Sequence, residues 1–354
     1  MNEHVYLRPL ALLDGPDAHE AATAGRAGRL AGGPIAFTAV EVIERHEGEI
    51  LRQVRSYGDI RASAEASVSD RLAVIEAERP ELPGLALDVP AVMGVVNVTP
   101  DSFSDGGRFA DTAFAIAQGE ALVAAGADML DIGGESTRPG AEATPDAEEL
   151  QRVIPVIEGL VQHRVPISID TRKTAVMRGA AEAGAVMVND VTALSHDPEA
   201  TATACVLGLP VMLMHSAGDP KTMQDNPVYD DVALDVFDAL AERVAVCADA
   251  GIARDGIVID PGIGFGKTFA HNHEILRNLT LYHGLGLRLA LGVSRKAFIG
   301  ALSGEKVAGK RVAGSVAAAL VGVAQGVHIL RVHDVAETVQ AVRTHIGVWR
   351  GGTV

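Results

Sequence analysis

The sequence predicts an α/β protein built as a closed (β/α)₈ barrel, the TIM-barrel fold, with an additional N-terminal segment. From about residue 92 onward, short and nearly continuous apolar runs alternate with longer segments of helical period. Runs without polar alternation are typical of strands buried on both faces, as in a parallel sheet. Eight strand–helix units follow one another over about 260 residues, which favours a closed barrel over an open doubly wound sheet.

The eight predicted barrel strands each consist of an apolar run that ends in polar residues. In chain order the runs are VMGVVN (92–97), MLDIGG (129–134), PISID (166–170), VMVND (186–190), VMLMH (211–215), IVIDPG (257–262), LALGVS (289–294) and HILRVH (328–333). Their carboxyl ends carry Asn97, Glu135, Asp170, Asn189 with Asp190, His215, Asp260, Ser294 to Lys296, and Arg331 with His333. Strands that run out into water explain one or two polar ends. A set of this chemical variety predicts one shared active-site mouth.

The segments between the runs carry helix signals. Thr144 precedes Pro145 at the expected first position of a helix, and acidic residues follow. Asp334, with Glu337 three residues later, predicts a capping box. Helices are expected to end at Gly126, Gly184 and Gly251. The most apolar stretch, 314–330, contains polar residues, so it predicts a buried helix followed by a strand rather than a membrane span.

We divide the chain into a predicted barrel, residues 92–350, and an N-terminal extension, residues 1–91, whose role the sequence does not reveal. Within the extension, VYLRPLALL predicts a strand and SVSDRLAVIEAERPEL predicts a short amphipathic helix. The stretch PIAFTAVEVIERHEGEILRQVRS is compatible with either a strand or a helix. The extension is therefore expected to pack on the barrel as an additional layer.

Composition limits the possible partners and the cellular compartment. A formal net charge of −16 argues against nucleic-acid binding, which needs a basic surface, and against attachment to an anionic membrane. The two cysteines, Cys205 and Cys247, form no CxxC pair, so neither a disulfide framework nor a zinc site is expected. The first twenty residues do not resemble a signal peptide. We expect small-molecule substrates and a cytoplasmic location.

The glycine-rich stretch PGIGFGKT (261–268) resembles two nucleotide-binding motifs but matches neither. A P-loop would need glycine at 261, which is Pro261, and a dinucleotide fingerprint would need glycine at 267, which is Lys267. The stretch either lets the backbone approach a flat ligand beside Asp260 or is a purely structural turn. The chain contains no HExxH or GxSxG motif, so zinc proteolysis and triad hydrolysis are unsupported.

Several polar groups at the strand ends suit a planar, charged ligand. Asp170, Asn189 and Asp260 can pair with a heterocycle that carries several N–H and C=O groups, at roughly 1.5–3 kcal/mol for each charge-assisted bond. General acid–base catalysis by the two carboxylates is the alternative. Arg331 and His333, two positions apart on one strand, suggest an anionic group, although a solvated or salt-bridged pair remains an alternative.

Two loops are too polar to be buried without leaving backbone groups unpaired. They are NVTPDSFSDGG (97–107), after the first strand, and GGESTRPG (133–140), after the second. Glycines make both able to move, and Arg138 in the second could hold a phosphate or carboxylate.

Together, NVTPDSFSDGG, GGESTRPG, SIDT, VND, MHSAGDPKTMQ, DPGIGFGKT, SRK and RVHDV resemble the dihydropteroate synthase family. The resemblance covers roughly residues 92–350. It implies condensation of 6-hydroxymethyl-7,8-dihydropterin diphosphate with 4-aminobenzoate, which gives 7,8-dihydropteroate and pyrophosphate. It also implies a homodimer. Ser216 and Ala217 depart from the longer residues that are often found there, which affects the rim of the pocket rather than the chemistry.

The resemblance also implies roles for individual residues. The pterin ring would be held by Asp170, Asn189, Asp260 and Lys296, and Phe265 would be a further substrate contact. The diphosphate would be bound by Arg331 and His333, with Asn97 as a ligand of Mg²⁺. Substrate contacts on the two loops would come from Phe103, Thr137 and Pro139, and catalytic roles would fall to Asn97, Asp101, Arg138 and Lys296. Ser294 lies at a helix start, where the aminobenzoate carboxylate could meet free backbone N–H groups.

The first loop has the character of a catalytic lid. The family's chemistry resembles a dissociative substitution through a pterin methylene cation, which water would destroy, so the site must exclude water. Two rival functions are disfavoured, because the residues that they should lack are present in this sequence. A methyltransferase that moves a methyl group from methyltetrahydrofolate to a corrinoid should lack the lid and the R-x-H pair, and a non-catalytic pterin-binding paralogue should have lost loop or anion-site residues.

Overall fold

Eight parallel strands form a closed barrel in this computed structural model, which describes residues 4–46, 48–85, 89–99, 108–136, 143–217 and 226–351. The strands are β5 (Ala91–Asn97), β6 (Met129–Gly133), β7 (Ile167–Asp170), β8 (Met187–Asp190), β9 (Val211–Met214), β10 (Ile257–Asp260), β11 (Arg288–Leu291) and β12 (Ile329–Val332). Each strand pairs with the next, and β12 pairs with β5 to close the ring. The predicted (β/α)₈ barrel is confirmed, and each apolar run supplies one strand.

Helices surround the barrel. They are α4 (Arg108–Ala124), α5 (Asp146–Leu160), α6 (Thr174–Ala183), α7 (Ala200–Leu207), α8 (Val232–Asp249), α9 (Phe269–Arg277), α10 (Ala297–Ser303), α11 (Val312–Val323) and α12 (Val335–Arg350). Gly184 follows α6 at φ 114°, a conformation that residues with a Cβ avoid. Among the helices of the described residues, none is both long and apolar enough to cross a membrane.

Two helix starts differ from the sequence prediction. Pro145 lies one residue before α5, at the N-cap position, rather than at the first helical position. The capping box predicted for Asp334 and Glu337 is wrong. Within the described chain, Asp334 makes no side-chain cap bond, because its carboxylate pairs with the Arg295 guanidinium through Nε at 3.0 Å and through Nη2. A charged partner from another part of the chain outweighs the local backbone N–H groups.

The N-terminal extension forms a separate layer on the barrel. Its elements are β1 (His4–Leu13), α1 (Gly15–Thr23), β2 (Gly28–Arg29), β3 (Ala36–His46), β4 (Glu49–Ser56), α2 (Tyr57–Arg61) and α3 (Ala66–Glu76). The four strands make an antiparallel sheet with β3 at its centre. The stretch that was compatible with a strand or a helix is the hairpin β3–β4. Its turn contains Gly48 at φ 90°.

The extension also closes the amino-terminal end of the barrel. Leu82 and Leu85 are each 5% exposed. They form one apolar cluster with residues that point into the barrel from its strands: Ala91, Met93, Met129, Met187, Met212, Val258, Ala290 and Ile329. The opposite, carboxyl end of the strands therefore holds the polar residues and is the end available to a ligand.

Candidate active site

A continuous row of polar side chains connects four strands of the barrel. Asp131 on β6 accepts hydrogen bonds at Oδ2 from the Arg331 Nε at 2.6 Å and from the Asn189 Nδ2 at 2.9 Å. Arg331, on β12, also donates from Nη2 to the Asp170 Oδ2 at 2.7 Å. Strand pairing places Asp170 of β7 opposite Asn189 of β8, while Asp131 of β6 lies opposite Ser168, two residues earlier on β7. The Arg331 side chain, from β12, connects the carboxylates of Asp131 and Asp170. Three of the predicted site residues thus meet in one network.

Asp131 is a site residue that the sequence analysis missed. It lies inside the apolar run MLDIGG, and in the structure it is 0% exposed. Within the part of the chain that the structure describes, its Oδ1 has no hydrogen-bond partner. A buried carboxylate oxygen without a donor is costly, so a ligand N–H group at this position would be favourable. The available signal was a single carboxylate in an otherwise apolar strand.

Burial and the neighbouring charges shift the pKa values of this network in opposite directions. Burial raises the pKa of the Asp170 carboxyl, because removal from water penalises the charged form, and the Arg331 charge opposes part of that rise. Burial disfavours the charge of Arg331, but the Asp131 and Asp170 carboxylates outweigh burial and raise the pKa of the guanidinium. Arg331 therefore keeps its positive charge while it lies between two carboxylates.

Asp260 lies at the end of β10, where the chain turns back tightly. Its Oδ1 accepts from the backbone N–H of Gly262 at 2.7 Å, and burial raises the pKa of its carboxyl. Gly262 has φ 69°, and a Cβ at this position would lie 1.9 Å from the carbonyl oxygen of His215. Only glycine fits there. The turn lets the backbone approach the neighbouring strand and leaves Asp260 at the mouth.

The segment after this turn is fixed by a buried lysine. Lys267 is 2% exposed. It donates to the His215 Nδ1 at 2.8 Å and to the carbonyl oxygen of Phe265 at 3.0 Å. Burial lowers the pKa of Lys267 to about 7, and burial together with the Lys267 charge lowers the pKa of His215 to about 3. His215 is therefore a neutral acceptor that helps to anchor the loop rather than a cation at the mouth.

Lys296 and Phe265 meet on the other side of Asp260. The Lys296 ammonium lies 4.1 Å from the centre of the Phe265 ring, a cation–π geometry. Burial lowers the pKa of Lys296 to about 8, while the Asp260 and Asp170 carboxylates favour its charge. The pair combines a flat apolar surface with a positive charge beside two carboxylates, which is the chemistry that a planar heterocycle requires.

His333 and Ser294 lie together at the ends of the last two strands. The His333 Nδ1 and the Ser294 Oγ are 3.0 Å apart, and the His333 backbone N–H also donates to that hydroxyl at 3.2 Å. Burial, with the nearby Arg331 charge, lowers the pKa of His333 to about 3. The predicted pair of cations is thus one cation and one neutral imidazole. The helix near Ser294 is α10, which begins three residues later, at Ala297.

A buried ion network is formed by residues that flank the second polar loop and by residues of α5 and the start of α6. Glu149 is 0% exposed and accepts from the Thr171 Oγ1 at 2.7 Å and from the Lys173 ammonium. Lys173 also lies 3.3 Å from Glu135, whose Oε2 accepts from the Arg172 Nε at 3.0 Å. Burial raises the pKa of Glu149, and its partners oppose that rise. This network joins β6, α5 and the start of α6.

The same network connects the two ends of the loop. Glu135 precedes residues 137–142, and its Oε1 accepts from the backbone N–H of Thr144 at 2.8 Å. Lys173 donates to the carbonyl oxygen of Thr144 at 2.5 Å. A buried carboxylate and a buried ammonium therefore hold the two loop ends together.

Five predicted site residues lie outside the described residues: Asp101, Phe103, Thr137, Arg138 and Pro139. Their assigned roles stay predictions. Asn97 is described: it ends β5 opposite Gly133 of β6, at the level of the mouth.

The residues at the mouth fit a magnesium ion that is held mainly by its substrate. Among the described residues, no group of three or more His, Cys, Asp and Glu side chains could hold an ion on its own. Mg²⁺ in enzymes of this kind is bound by one or two protein oxygens, with phosphate oxygens completing its shell. The amide oxygen of Asn97 suits that arrangement.

Comparison with known proteins identifies relatives of this chain. A family model described as "Pterin binding enzyme" matches residues 93–333. The dihydropteroate synthase of Escherichia coli (strain K12) is 48% identical over 263 residues, which are 73% of this chain and 93% of that protein. The dihydropteroate synthase of Haemophilus influenzae is 46% identical over 256 residues, 72% of this chain and 92% of that protein.

Solved structures of dihydropteroate synthases are also similar to this chain. The Xanthomonas albilineans dihydropteroate synthase with 4-aminobenzoic acid is 51% identical, has a TM-score of 0.71, and is matched over 75% of this chain and 94% of its own. The same bacterium's enzyme in complex with 7,8-dihydropteroate is 47% identical, with a TM-score of 0.69 and coverage of 76% and 98%.

Proposed function

The chain belongs to the pterin-binding enzyme family and is a dihydropteroate synthase, and we propose how its residues carry out that reaction. The enzyme condenses 6-hydroxymethyl-7,8-dihydropterin diphosphate with 4-aminobenzoate and releases pyrophosphate. The observation that carries our mechanism is the row of buried polar groups across the barrel, from Asn189 through Asp131 and Arg331 to Asp170.

The pterin ring binds in the barrel mouth with its polar edge toward the carboxylates. The unpartnered Oδ1 of Asp131 and the carboxylates of Asp170 and Asp260 accept from ring N–H groups. The Phe265 ring and the Lys296 ammonium contact the opposite part of the ring. Each charge-assisted hydrogen bond contributes about 1.5–3 kcal/mol, so the heterocycle is fixed with its methylene group toward the open end.

The diphosphate leaves as the methylene C–O bond breaks, and the bonding electron pair goes to the diphosphate oxygen. Arg331 supplies positive charge at the end of β12, and His333 supplies an imidazole beside it. We propose Mg²⁺ as the cofactor: bound to the diphosphate and to Asn97, it would neutralise charge on the leaving group. The amine nitrogen of 4-aminobenzoate then bonds to the methylene carbon and loses a proton.

The aminobenzoate binds on the side of the site that the two polar loops flank in the sequence. We propose that Phe103 and Pro139 close over its ring, and that its carboxylate lies near Ser294, before α10. Asp101, Thr137 and Arg138 complete the covered site and exclude water from the reactive methylene carbon. Glu135 and Lys173, in the buried network with Glu149, hold the two ends of the second loop together through Thr144.

We also infer that the enzyme is a homodimer. Helices α11 and α12 enclose a surface cavity of about 700 Å³ lined by Val316, Leu320 and Val348, among others. Val348 is 75% exposed and Trp349 is 54% exposed. Exposed apolar side chains beside a groove are typical of a protein–protein interface. A second copy of the chain is the partner that the family resemblance implies.

We propose a cytoplasmic location, in agreement with the two free cysteines, Cys205 and Cys247.

Pyrophosphate release by the purified protein tests the function directly. The protein is supplied with the pterin diphosphate and Mg²⁺, with and without 4-aminobenzoate. Release that depends on aminobenzoate, together with dihydropteroate formation, is the expected result. Tight pterin binding without any release, by a correctly folded protein, would instead indicate a non-catalytic pterin-binding paralogue.

A further inference from the structure

The N-terminal layer contacts the barrel at the mouth end as well as at the closed end. Helix α8 begins directly after the segment that leaves β9, so its start lies on the side of the active site. Arg45 of β3 donates to Asp235 at 2.7 Å and lies 3.4 Å from Asp238. Arg52 of β4 pairs with Asp231. Two arginines of the layer thus bind acidic residues at the start of one barrel helix.

One of these acidic residues also determines where α8 begins. Asp231 is the N-cap of α8, and its Oδ1 accepts from the backbone N–H groups of Ala233 and Leu234, both at 3.1 Å. Its other oxygen, Oδ2, is the partner of Arg52. Arg52 therefore restrains the side chain that caps the helix, and with it the two residues that come before.

The side chain of Tyr229 connects this helix start to the active site. Tyr229, two residues before Asp231, donates from its hydroxyl to the carbonyl oxygen of Gly266 at 2.8 Å. Gly266 lies between Phe265, whose ring contacts Lys296 at 4.1 Å, and Lys267, which donates to the His215 Nδ1. A Cβ on Gly266 would lie 2.8 Å from Ala217, so the loop has little room to move on its other side.

The layer is additional to what the matched relatives contain. Those relatives are matched over 93% of their own length but only 73% of this chain. The family match begins at residue 93. The contacts of Arg45 and Arg52 with α8 are therefore made by a part of this chain that lies outside the shared enzyme.

We propose that the N-terminal layer positions the pterin side of the active site. Arg45 and Arg52 hold the start of α8, and Tyr229 transmits that restraint to the loop that carries Phe265. This inference rests on the proposed function, because the affected ligand is the pterin. Arg45, Arg52 and Tyr229 are positioning residues, since they act on the ligand through Phe265 and Lys296.

The test compares three variants of the 354-residue chain with the wild type. In Arg45→Met/Arg52→Met, the Kd and KM for the pterin diphosphate should rise about 5-fold, with kcat changed less than about twofold. Arg55→Met is the matched control. Arg55 lies on the same strand, but its partner is Glu65 of the layer itself, at 3.6 Å, so this variant should bind pterin like the wild type. The variant Arg45→Lys/Arg52→Lys keeps both charges and should keep much of the wild-type affinity for the pterin diphosphate.

A double-mutant cycle tests the path. In a Tyr229→Phe background the effect of the arginine substitutions should shrink, since the connection to Gly266 is already lost. Fully additive effects would overturn the path through Tyr229. If Arg45→Met/Arg52→Met fails to fold, the single variant Arg52→Gln replaces it in the same cycle, since this variant leaves Arg45 in place.

Different results would overturn the positioning role and the proposed function. A wild type that releases pyrophosphate, beside an arginine variant with unchanged pterin Kd and KM, overturns the positioning role and leaves the proposed function intact. An equal loss of pterin affinity in Arg55→Met would also overturn the positioning role, because the cause would then be general destabilisation. A wild type that neither binds the pterin nor releases pyrophosphate overturns the proposed function.

Discussion

Asparagine in place of Asp131 should weaken both pterin binding and folding, because this carboxylate lies at the centre of the buried row. The side chain is 0% exposed. One oxygen serves Arg331 and Asn189 at 2.6 Å and 2.9 Å, and the other has no partner among the described residues. The substitution keeps the shape of the side chain and removes its charge.

The expected magnitude follows from these contacts. The amide oxygen of asparagine can still accept from both donors, but the bond from Arg331 changes from a charge-assisted bond of about 1.5–3 kcal/mol to a bond with a neutral acceptor. The new amide N–H group is buried and unpaired, but so is the Oδ1 that it replaces, so this exchange adds little to the difference in stability. We expect a loss of about 1–2 kcal/mol in the free energy of unfolding, the difference between a charge-assisted and a neutral hydrogen bond. The pterin Kd should rise about 10- to 150-fold, since a ring N–H group would meet a donor instead of an acceptor.

The assay is calorimetric titration with the pterin diphosphate, combined with urea denaturation. Asp128→Asn is the control: Asp128 precedes the same strand at the opposite end and accepts from the Val92 backbone N–H at 2.7 Å. That variant should lose stability without any change in pterin Kd. A pterin Kd within twofold of the wild type for Asp131→Asn would show that the pterin does not use this carboxylate.

Three further predictions concern other parts of the site. Lys173→Met leaves Glu149 buried without its cation and should lower the free energy of unfolding, measured in urea titrations, by about 3–5 kcal/mol. The second substitution Glu149→Gln should recover part of that loss. No loss of stability in Lys173→Met would mean that Glu149 is already protonated. Lys267 has a pKa of about 7 when folded, below its value in the unfolded chain, so the unfolded state binds more protons between these two values. The stability of the wild type relative to Lys267→Met should therefore increase as the pH rises from about 7 toward 10, by up to about 1.4 kcal/mol per pH unit. A difference in stability that does not change with pH would show that burial does not lower the pKa of Lys267. Phe103→Leu should raise the KM for aminobenzoate more than the pterin Kd, and equal effects on both substrates would refute the lid assignment.

The barrel could be predicted from the sequence because its signal is repeated and local. Each strand is a short apolar run, and each run ends in polar residues that the parallel arrangement gathers at one mouth. Asp170 and Asn189 were identified in this way, and the register of β7 and β8 places them opposite each other. Asp260 and Lys296 likewise lie within electrostatic range of each other.

The parts that could not be predicted depend on partners far away in the chain. Glu149 and Lys173 are 24 residues apart, and neither belongs to a motif, so their pairing is visible only in the folded structure. Asp334 was assigned to a local cap, but Arg295, 39 residues away, binds it instead. Local pattern predicts local structure well and predicts long-range ion pairs poorly, because any acid has several basic candidates.

The apolar contact at the closed end of the barrel changes what an N-terminal deletion would mean. Leu82 and Leu85 cover four methionines and their neighbours inside the strands. A shortened chain that began at residue 92 would leave this interior open to water, and a loss of activity would then say nothing about Arg45 or Arg52. The extension thus fills one end of the barrel interior and also contacts helix α8 on the outside of the barrel. These two roles can be separated only by point substitutions. For the same reason, a hybrid with the barrel of a shorter relative would have to redesign two surfaces together.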